Sequence, residues 1–188
     1  MPPSAYLRLI RHAPALHGGA LAGRRDVAAD LSDSAAIARL QDRVATTVRT
    51  WCSPALRCRQ TADALRPGRD ITLDARLWEQ DFGAWEGMAF DALPDLGALD
   101  RAALASHRPP QGESFADLYT RVTPALEQIA GAGDAVVIAH AGVIRAALGL
   151  ALDTVPGALI FEIAPLSLTE LRFLPGHGWS ISCVNVLA

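Results

Sequence analysis

Two histidines stand directly after apolar runs in distant parts of the chain. Arg11 and His12 follow the run 5–10, and His140 follows the run 135–139. In an open parallel α/β sheet, ligands bind beyond the carboxyl ends of the strands. We therefore expect the two imidazoles to meet in one pocket, where one acts as a nucleophile and the other as its partner.

A third cationic group comes from residues 52–62. Ser53 followed by Pro54 predicts an N-cap and a first helical residue, which would place Arg57 one turn into the helix. Its side chain would lean back toward the N-terminus, where the helix dipole favours an anion. His140 precedes a second expected helix, in which the backbone of Gly142 could approach an oxyanion closely. Arginines, histidines and a helix N-terminus suit a phosphoryl group better than a carboxylate.

Residues 77–87 are dense in acids, aromatics and glycines, which is typical of a folded loop over a cleft. Cleavage of a phosphate ester needs a proton for the departing alkoxide. A carboxyl group beside an anionic phosphate would have its pKa raised and could hold that proton near neutrality. Spacing alone does not choose among Glu79, Asp81 and Glu86.

The elements that must position these groups alternate along the chain. Helical patterns lie between strand-like runs, with apolar stripes from Ile37 to Val48 and from Leu118 to Ile129. Ser114 is the expected N-cap of the second helix, and Pro124 should kink or divide it. This alternation predicts an α/β fold with a mainly parallel sheet covered on both faces. Residues 175–178 are short enough for a hairpin, so one edge strand should be antiparallel. The expected strands are 5–10, 50–52, 71–73, 135–139, 168–173 and 179–186.

Composition narrows the class of protein. The 188 residues fit a single domain, 1–188. A formal net charge of −3 gives no reason to expect nucleic acid as a partner. No apolar run is long enough to span a bilayer, and residues 1–6 lack the features of a signal peptide, so we expect a cytoplasmic protein. The three cysteines have no spacing typical of a disulfide framework or a zinc site. All 17 basic residues are arginine, which we attribute to genomic base composition.

Four segments of the chain resemble motifs of one family, in the family's order. The pair Arg11-His12 resembles its R-H-G signature, 53–62 its S-P-x-x-R-x-x-Q-T-A segment, and 77–87 its L-x-E-x-x-F-G-x-W-E-G segment. The run 140–145 resembles its second histidine motif. Over nearly its whole length the chain is therefore similar to the histidine phosphatase superfamily, the phosphoglycerate mutase-like proteins.

The resemblance implies a set of roles for these residues. His12 would be the nucleophile that becomes phosphohistidine, and Glu79 the proton donor. Arg11, Arg57 and His140 would hold the phosphate. The family resemblance also implies a three-layer α/β/α fold and no metal, and we expect no other cofactor.

The chain departs from the family pattern around the nucleophile. Ala13 replaces the signature glycine, while Ala15 and Gly18 stand where the family often has a hydroxyl and an amide side chain. His17, Trp78 and Glu113 are candidates for the substrate rim. Each also has a structural interpretation: His17 as an exposed loop residue, Trp78 as half core, and Glu113 as an acid at the start of a helix.

The resemblance supports three functions. The first is a phosphomonoesterase acting on a small phosphorylated metabolite, most similar to α-ribazole phosphatases and broad-specificity bacterial phosphatases, with α-ribazole 5′-phosphate as one candidate substrate. The second is a cofactor-dependent phosphoglycerate mutase, although such mutases are longer and carry an extra segment over the site. The third is a catalytically weak protein that binds a phosphorylated ligand. We expect a monomer or a homodimer.

Overall fold

The computed structural model describes residues 4–44 and 48–187. Six of its strands form one sheet in the order β3-β2-β4-β1-β5-β6. All six strands lie within two residues of the positions expected from sequence. Their bounds are β1 (Ala5–Arg11), β2 (Arg49–Cys52), β3 (Ile71–Leu73), β4 (Ala135–Ala139), β5 (Ser167–Leu174) and β6 (Gly178–Leu187).

The sheet is mainly parallel, as predicted. Strand β1 runs parallel to β4, β4 to β2, and β2 to β3. Strand β5 is antiparallel to both β1 and β6, so it is the reversed strand of the sheet and makes the antiparallel pair at one edge. A turn at residues 175–177 joins β5 to β6, which confirms the hairpin.

Helices cover both faces of the sheet and make three layers. Strand β4 is buried along its whole length, because Val136 and Ile138 pack into one core cluster while Val137 packs into the other. Helices α1 and α2 contribute to the first cluster, and α4 and α5 to the second. The helices are α1 (Ser34–Arg43), α2 (Leu56–Leu65), α3 (Arg101–Ser106), α4 (Phe115–Gly131) and α5 (Ala141–Leu152), with 3₁₀ turns at 75–77, 83–85, 90–92 and 156–160.

Helix α4 begins as expected but is not divided. The Ser114 hydroxyl accepts from the Asp117 amide, and the Asp117 carboxylate accepts from the Ser114 amide, which completes a capping box. Of the two expected effects of Pro124, a kink or a division of the helix, division does not occur, because Pro124 lies inside one continuous 17-residue helix. Both Pro124 and Thr120 are exposed, so water can reach the Thr120 carbonyl that Pro124 leaves without an amide donor.

Helix α1 is shorter than its apolar stripe indicates. It ends at Arg43, and Val44 is extended but still buried. Val48 lies outside the helix and packs against the core from a bend, which corrects the expected stripe. Residues 45–47 lie outside the described part of the chain, as do residues 1–3, on which the signal-peptide argument partly rests. Across 4–44 and 48–187, no helix combines the length and apolar character needed to cross a bilayer.

Candidate active site

The ends of three neighbouring parallel strands hold the candidate residues. The His12 amide at the end of β1 donates to the Ala139 carbonyl at the end of β4 (2.9 Å). The Ser53 amide after β2 donates to the Ile138 carbonyl (3.0 Å). The rings of His12 and His140 therefore meet edge to face, with centroids 5.1 Å apart. The expected convergence of the two histidines is present.

Hydrogen bonds determine which nitrogen of His12 carries the proton. Its Nδ1 lies 2.7 Å from the Ala13 carbonyl oxygen, which can only accept, so Nδ1 is protonated. Its Nε2 accepts from Nε of Arg57 at 3.2 Å. Burial lowers the pKa of His12 to about 3; the Ala13 carbonyl opposes this shift, and the charges of Arg57 and Arg11 add to it. At neutral pH the ring is uncharged and has a lone pair on Nε2.

Arg57 lies between the two imidazoles and is almost fully buried. Backbone carbonyls of the loop before α1 hold its guanidinium: Nη1 donates to Arg25 (2.9 Å) and Nη2 to Gly23 (2.7 Å). The same Nη2 lies 3.2 Å from Nδ1 of His140. One rigid fork thus contacts both rings and fixes their relative position.

Ser53 is a site residue that the sequence interpretation missed. Helix α2 begins at Leu56 with Ala55 at its N-cap, so the assignment of Ser53 as N-cap is wrong, and Arg57 lies in the first turn. Instead, Oγ of Ser53 lies 2.8 Å from Nε2 of His140. Because Arg57 donates to Nδ1 of His140, Nε2 must carry the proton and Ser53 accepts it. Burial, followed by the nearby histidine and arginines, holds the pKa of His140 well below its usual range.

Arg11 offers an unpartnered donor at the same place. Its Nη1 donates to the Ile163 carbonyl (2.5 Å), while its buried Nε has no hydrogen-bond partner among the described residues. Burial lowers the pKa of Arg11; the Glu79 carboxylate opposes this shift, whereas Arg145 and Arg57 add to it. A buried donor of this kind is costly unless an acceptor occupies the site.

The structure separates the three carboxyls that spacing could not. Asp81 accepts from the Gly83 amide (2.8 Å), within its own loop. Glu86 accepts from the amides of Arg24 (2.7 Å) and Phe82 (3.1 Å), so it joins two loops. Of the three, Glu79 alone lines the cavity that also holds His12.

The Glu79 carboxylate is held by backbone amides. It accepts from Gln80 (3.0 Å) and from Gly142 (3.4 Å) at the start of α5. A side chain at position 142 would run into this carboxylate, because a Cβ built there contacts Oε1 of Glu79. The close approach expected of the Gly142 backbone therefore involves the protein's own carboxylate.

The cavity has a volume of about 210 Å³. Arg11, His12, Arg57 and Glu79 line it, together with Phe82, Phe90 and five residues of the loop 15–23. Two of the positions that depart from the family pattern differ in placement: Ala15 lines the cavity, while Gly18 is exposed and does not. Ala13 is fully buried, and its amide donates to Oγ1 of Thr61 (3.0 Å).

The three rim candidates have different surroundings. His17 lines the cavity and packs edge to face on Phe90. The Trp78 ring stacks beside the His140 ring with centroids 6.4 Å apart, and Trp78 is not among the lining residues. Glu113 also lies outside the lining and binds Arg24 and Arg121.

Glu113 connects α4 to the loop that contains Glu79. Its carboxylate accepts from Arg121 Nε (2.9 Å) and Nη2 (2.8 Å), and also from the Asp81 amide (3.2 Å). Burial acts to raise the pKa of Glu113, but Arg121 and the smaller contributions of the Asp81 amide and Arg24 bring it below its usual value. Its carboxylate therefore acts structurally, beside the cavity.

The cysteines and acids do not form an obvious metal centre. Within the described residues, no group of three or more histidine, cysteine, aspartate or glutamate side chains has the geometry to hold a metal ion. All three cysteines are free thiols. The positive charges that border the cavity come from arginine.

The chain is similar to known proteins in sequence. A family model described as the histidine phosphatase superfamily (branch 1) matches residues 7–186. A 6-phosphofructo-2-kinase/fructose-2,6-bisphosphatase from Caenorhabditis elegans is 32% identical over 129 residues, which are 66% of this chain and 28% of that protein. The chain spans about a third or less of the length of the curated relatives it matches.

Solved structures share the fold over the whole chain. A putative α-ribazole-5′-P phosphatase from Escherichia coli superposes with a TM-score of 0.82 at 17% identity, covering 99% of both chains. A mycobacterial glucosyl-3-phosphoglycerate phosphatase gives 0.82 at 22% identity and covers 98% of this chain and 100% of its own. At these identities the likeness supports the fold alone.

Proposed function

Because the chain belongs to the histidine phosphatase superfamily, we propose that it is a phosphomonoesterase that hydrolyses a small phosphorylated metabolite through a phosphohistidine on His12. One observation carries the proposal: the buried His12 ring, whose hydrogen bonds leave Nε2 unprotonated, lines a cavity that arginines and a carboxylate also line. The nucleophile, the cations that would bind phosphate and the proton donor then share one cavity.

The first half-reaction forms the phosphoenzyme. The lone pair on Nε2 of His12 attacks phosphorus in line, the P–N bond forms, and the P–O ester bond breaks. Glu79 gives its proton to the departing alkoxide, so that an alcohol leaves. The Ala13 carbonyl keeps the proton on Nδ1 throughout and stabilises the positive charge that develops on the ring.

The second half-reaction returns the enzyme to its starting state. A water molecule attacks phosphorus from the side that the alcohol has left, and Glu79 takes a proton from it. The P–N bond breaks, inorganic phosphate leaves, and Nε2 of His12 regains its lone pair. Glu79 is protonated again, ready for the next ester.

Three cationic or donor groups would stabilise charge on the equatorial phosphoryl oxygens. The unpartnered Nε of Arg11 supplies one hydrogen bond. Arg57 supplies another once the phosphoryl group replaces Nε2 of His12 as its acceptor. His140 does not line the cavity, and its Nδ1 accepts from Arg57. It would supply a third hydrogen bond once Arg57 turns to the phosphoryl oxygens and Nδ1 takes up a proton, which a nearby phosphate dianion favours. These charges take the place of a divalent cation, so hydrolysis is expected to need no metal.

The cavity favours a small substrate. Its volume of about 210 Å³ holds a phosphoryl group and the first atoms of the alcohol. The E. coli neighbour, a putative α-ribazole-5′-P phosphatase, shares the fold only. We therefore place α-ribazole 5′-phosphate in a substrate panel with other small phosphate monoesters.

Hydrolysis of p-nitrophenyl phosphate in the presence of EDTA tests the proposal. Wild type should release phosphate and form an acid-labile phosphoenzyme, and His12→Ala should do neither. A second arm adds 3-phosphoglycerate with its bisphosphate, since isomer formation without net phosphate would instead indicate a mutase. Phosphate release that survives in His12→Ala, or activity that EDTA abolishes, would contradict the proposal. Binding of phosphate esters without turnover of any ester in the panel would indicate a phospho-ligand-binding protein.

A further inference from the structure

A second cavity, of about 220 Å³, lies beside the first. Its walls are mostly rings and aliphatic groups: Phe82, Trp85, His107, Phe115, Leu96 and Leu104. The steps proposed above for phosphoryl transfer use none of these side chains. A lining so rich in rings is typical of a site for an apolar, planar group.

The two cavities share a wall. Phe82 lines both of them. Gln80, which lines the second cavity, directly follows Glu79, which lines the first. The second cavity therefore adjoins the position beside Glu79 from which the alcohol would leave.

We propose that the second cavity binds the alcohol portion of the substrate, and that the preferred substrates are phosphate monoesters whose alcohol carries an aromatic or heteroaromatic ring. The inference rests on the proposed phosphatase function and adds a substrate class to it. Phe82 would then separate the phosphoryl group from the ring of the same substrate.

The geometry of the walls favours a flat ring over a flexible chain. Trp85 and His107 stack with centroids 5.4 Å apart and planes 21° apart, so the wall holds two nearly parallel aromatic rings. A planar ring that packs against aromatic rings gains more than its buried area alone provides. A cavity of about 150 Å³ in another protein holds a benzene ring, so about 220 Å³ is enough for one ring and its substituents.

Two polar side chains of this cavity donate to backbone carbonyls, while the buried Nε2 of the His107 ring has no hydrogen-bond partner among the described residues. The Gln80 amide donates to the Glu113 carbonyl (2.7 Å), and Nε of Arg145 donates to the Phe161 carbonyl (2.9 Å). The ligand surface offered there is accordingly dominated by rings, in contrast to the arginine-rich first cavity.

The cavity is preformed, because backbone bonds join the two loops that build it. The Ala84 amide donates to the Pro110 carbonyl (2.9 Å), and the Glu113 amide donates to the Asp81 carbonyl (2.7 Å). A preformed site loses little conformational entropy when a ring enters it. Leu104 of α3 is 42% exposed and lines the cavity, so it is the position for a test.

Two esters with the same kind of leaving oxygen test the inference, namely 2-phenylethyl phosphate and ethyl phosphate. In wild type, kcat/KM for the phenylethyl ester should exceed that for the ethyl ester by about tenfold or more, because the ring leaves water. Leu104→Glu places a charge in the cavity wall and should reduce that ratio by about tenfold. Leu99→Glu is the matched control, because Leu99 is 40% exposed and does not line the cavity.

The outcomes separate this inference from the phosphatase proposal. Hydrolysis of both esters with equal kcat/KM, or a ratio that Leu104→Glu and Leu99→Glu lower equally, overturns the ring site and leaves the phosphatase intact. If neither ester is hydrolysed, the phosphatase proposal fails for this class of substrate. Calorimetry of the two esters then tests the ring site directly: tighter binding of the phenylethyl ester, lost in Leu104→Glu, supports it, and equal affinities overturn it.

Discussion

Nε of Arg57 lies 3.2 Å from Nε2 of His12, the nitrogen that is not bonded to the Ala13 carbonyl. A guanidinium can only donate, so this contact requires an unprotonated Nε2. The same contact marks where a phosphoryl group would sit once it has bonded to His12, within reach of the cation. Arg57 therefore selects the reactive tautomer of His12, and it would also bind the negative charge of the phosphoryl group that bonds to His12.

Replacing Arg57 with lysine should reduce kcat/KM by about a hundredfold, although the charge is kept. Lysine cannot bridge the carbonyls of Gly23 and Arg25 while also contacting both imidazoles, because it lacks the planar fork. Steady-state kinetics on p-nitrophenyl phosphate would measure the loss. Arg59→Lys, on the same helix and 45% exposed in its side chain, is the control. Near-wild-type kcat/KM in Arg57→Lys would show that charge alone suffices.

Stability should fall steeply as pH is lowered from about 6.5 to 5. Burial lowers the pKa of His12 from 6.5 to about 3 and also lowers that of His140, so the unfolded chain binds protons in this range that the folded chain does not. Since stability rises with pH wherever the unfolded state binds more protons, acidification through this window destabilises the fold. His12 alone accounts for about 2 kcal/mol over these 1.5 or so pH units.

Urea denaturation at pH 5 and pH 7 would measure this effect. His12→Gln removes one of the two buried imidazoles, so its free energy of unfolding should depend less on pH in the same window. The lowered pKa values of Asp74, Asp117 and Glu113 act below this range, because their ordinary values are 3.8 to 4.5. Equal pH dependence in wild type and His12→Gln would show that His12 is not buried as a neutral ring.

Ser53→Ala should lower both stability and kcat. The substitution leaves the buried Nε2–H of His140 without its acceptor at 2.8 Å, which costs about 1–3 kcal/mol in the free energy of unfolding. His140 would also lose the contact that orients its ring, so kcat should fall by about tenfold. Ser53→Thr retains the hydroxyl and should recover most of kcat, a rescue that a purely structural role in packing would not produce. A Ser53→Ala variant with wild-type kcat would show that Ser53 has no role in catalysis.

The sequence predicts the fold well where burial sets the pattern. Strands such as β4 are apolar throughout because both faces are covered, and the capping box of α4 has a local signature at Ser114 and Asp117. The end of α1 at Arg43 was not predictable in this way. Val44 and Val48 continue the helical spacing of the apolar residues, but both reach the core from non-helical backbone.

Within the site, residues at strand ends were predictable and their partners were not. Arg11, His12 and His140 stand at the ends of apolar runs, so topology alone brings them together. Spacing could not distinguish Glu79 from Glu86, because the difference lies in which backbone amides each carboxylate accepts from. The local sequence, Ser53 followed by Pro54, predicts a helix cap. The β2–β4 pairing, which brings Ser53 beside His140, depends on a contact across 87 positions.

Gly142→Ala should separate activity from stability. In a helix, alanine is favoured over glycine by up to about 1 kcal/mol, but here the new methyl group would meet the Glu79 carboxylate and lie 3.2 Å from Cδ1 of Leu118. The carboxylate is the far end of a flexible side chain, so it can move away at little cost to the fold. Glu79 would then lose its hydrogen bond from the Gly142 amide and its position beside the leaving oxygen. We expect kcat to fall by at least about tenfold, since a displaced proton donor forfeits most of its contribution.

The matched control for this substitution is Gly131→Ala, at the end of α4, where a Cβ meets nothing within 4 Å. Both variants gain helix propensity, so both should unfold at temperatures equal to or above wild type, as measured by circular dichroism. Only Gly142→Ala should lose activity, and its loss in kcat/KM, which reports formation of the phosphoenzyme, should be smallest for esters of acidic alcohols such as p-nitrophenol, whose leaving oxygen needs little protonation. An equal loss in kcat/KM for acidic and aliphatic alcohols would contradict the assignment of Glu79 as the proton donor, because the damage would then lie in phosphate binding and not in proton transfer.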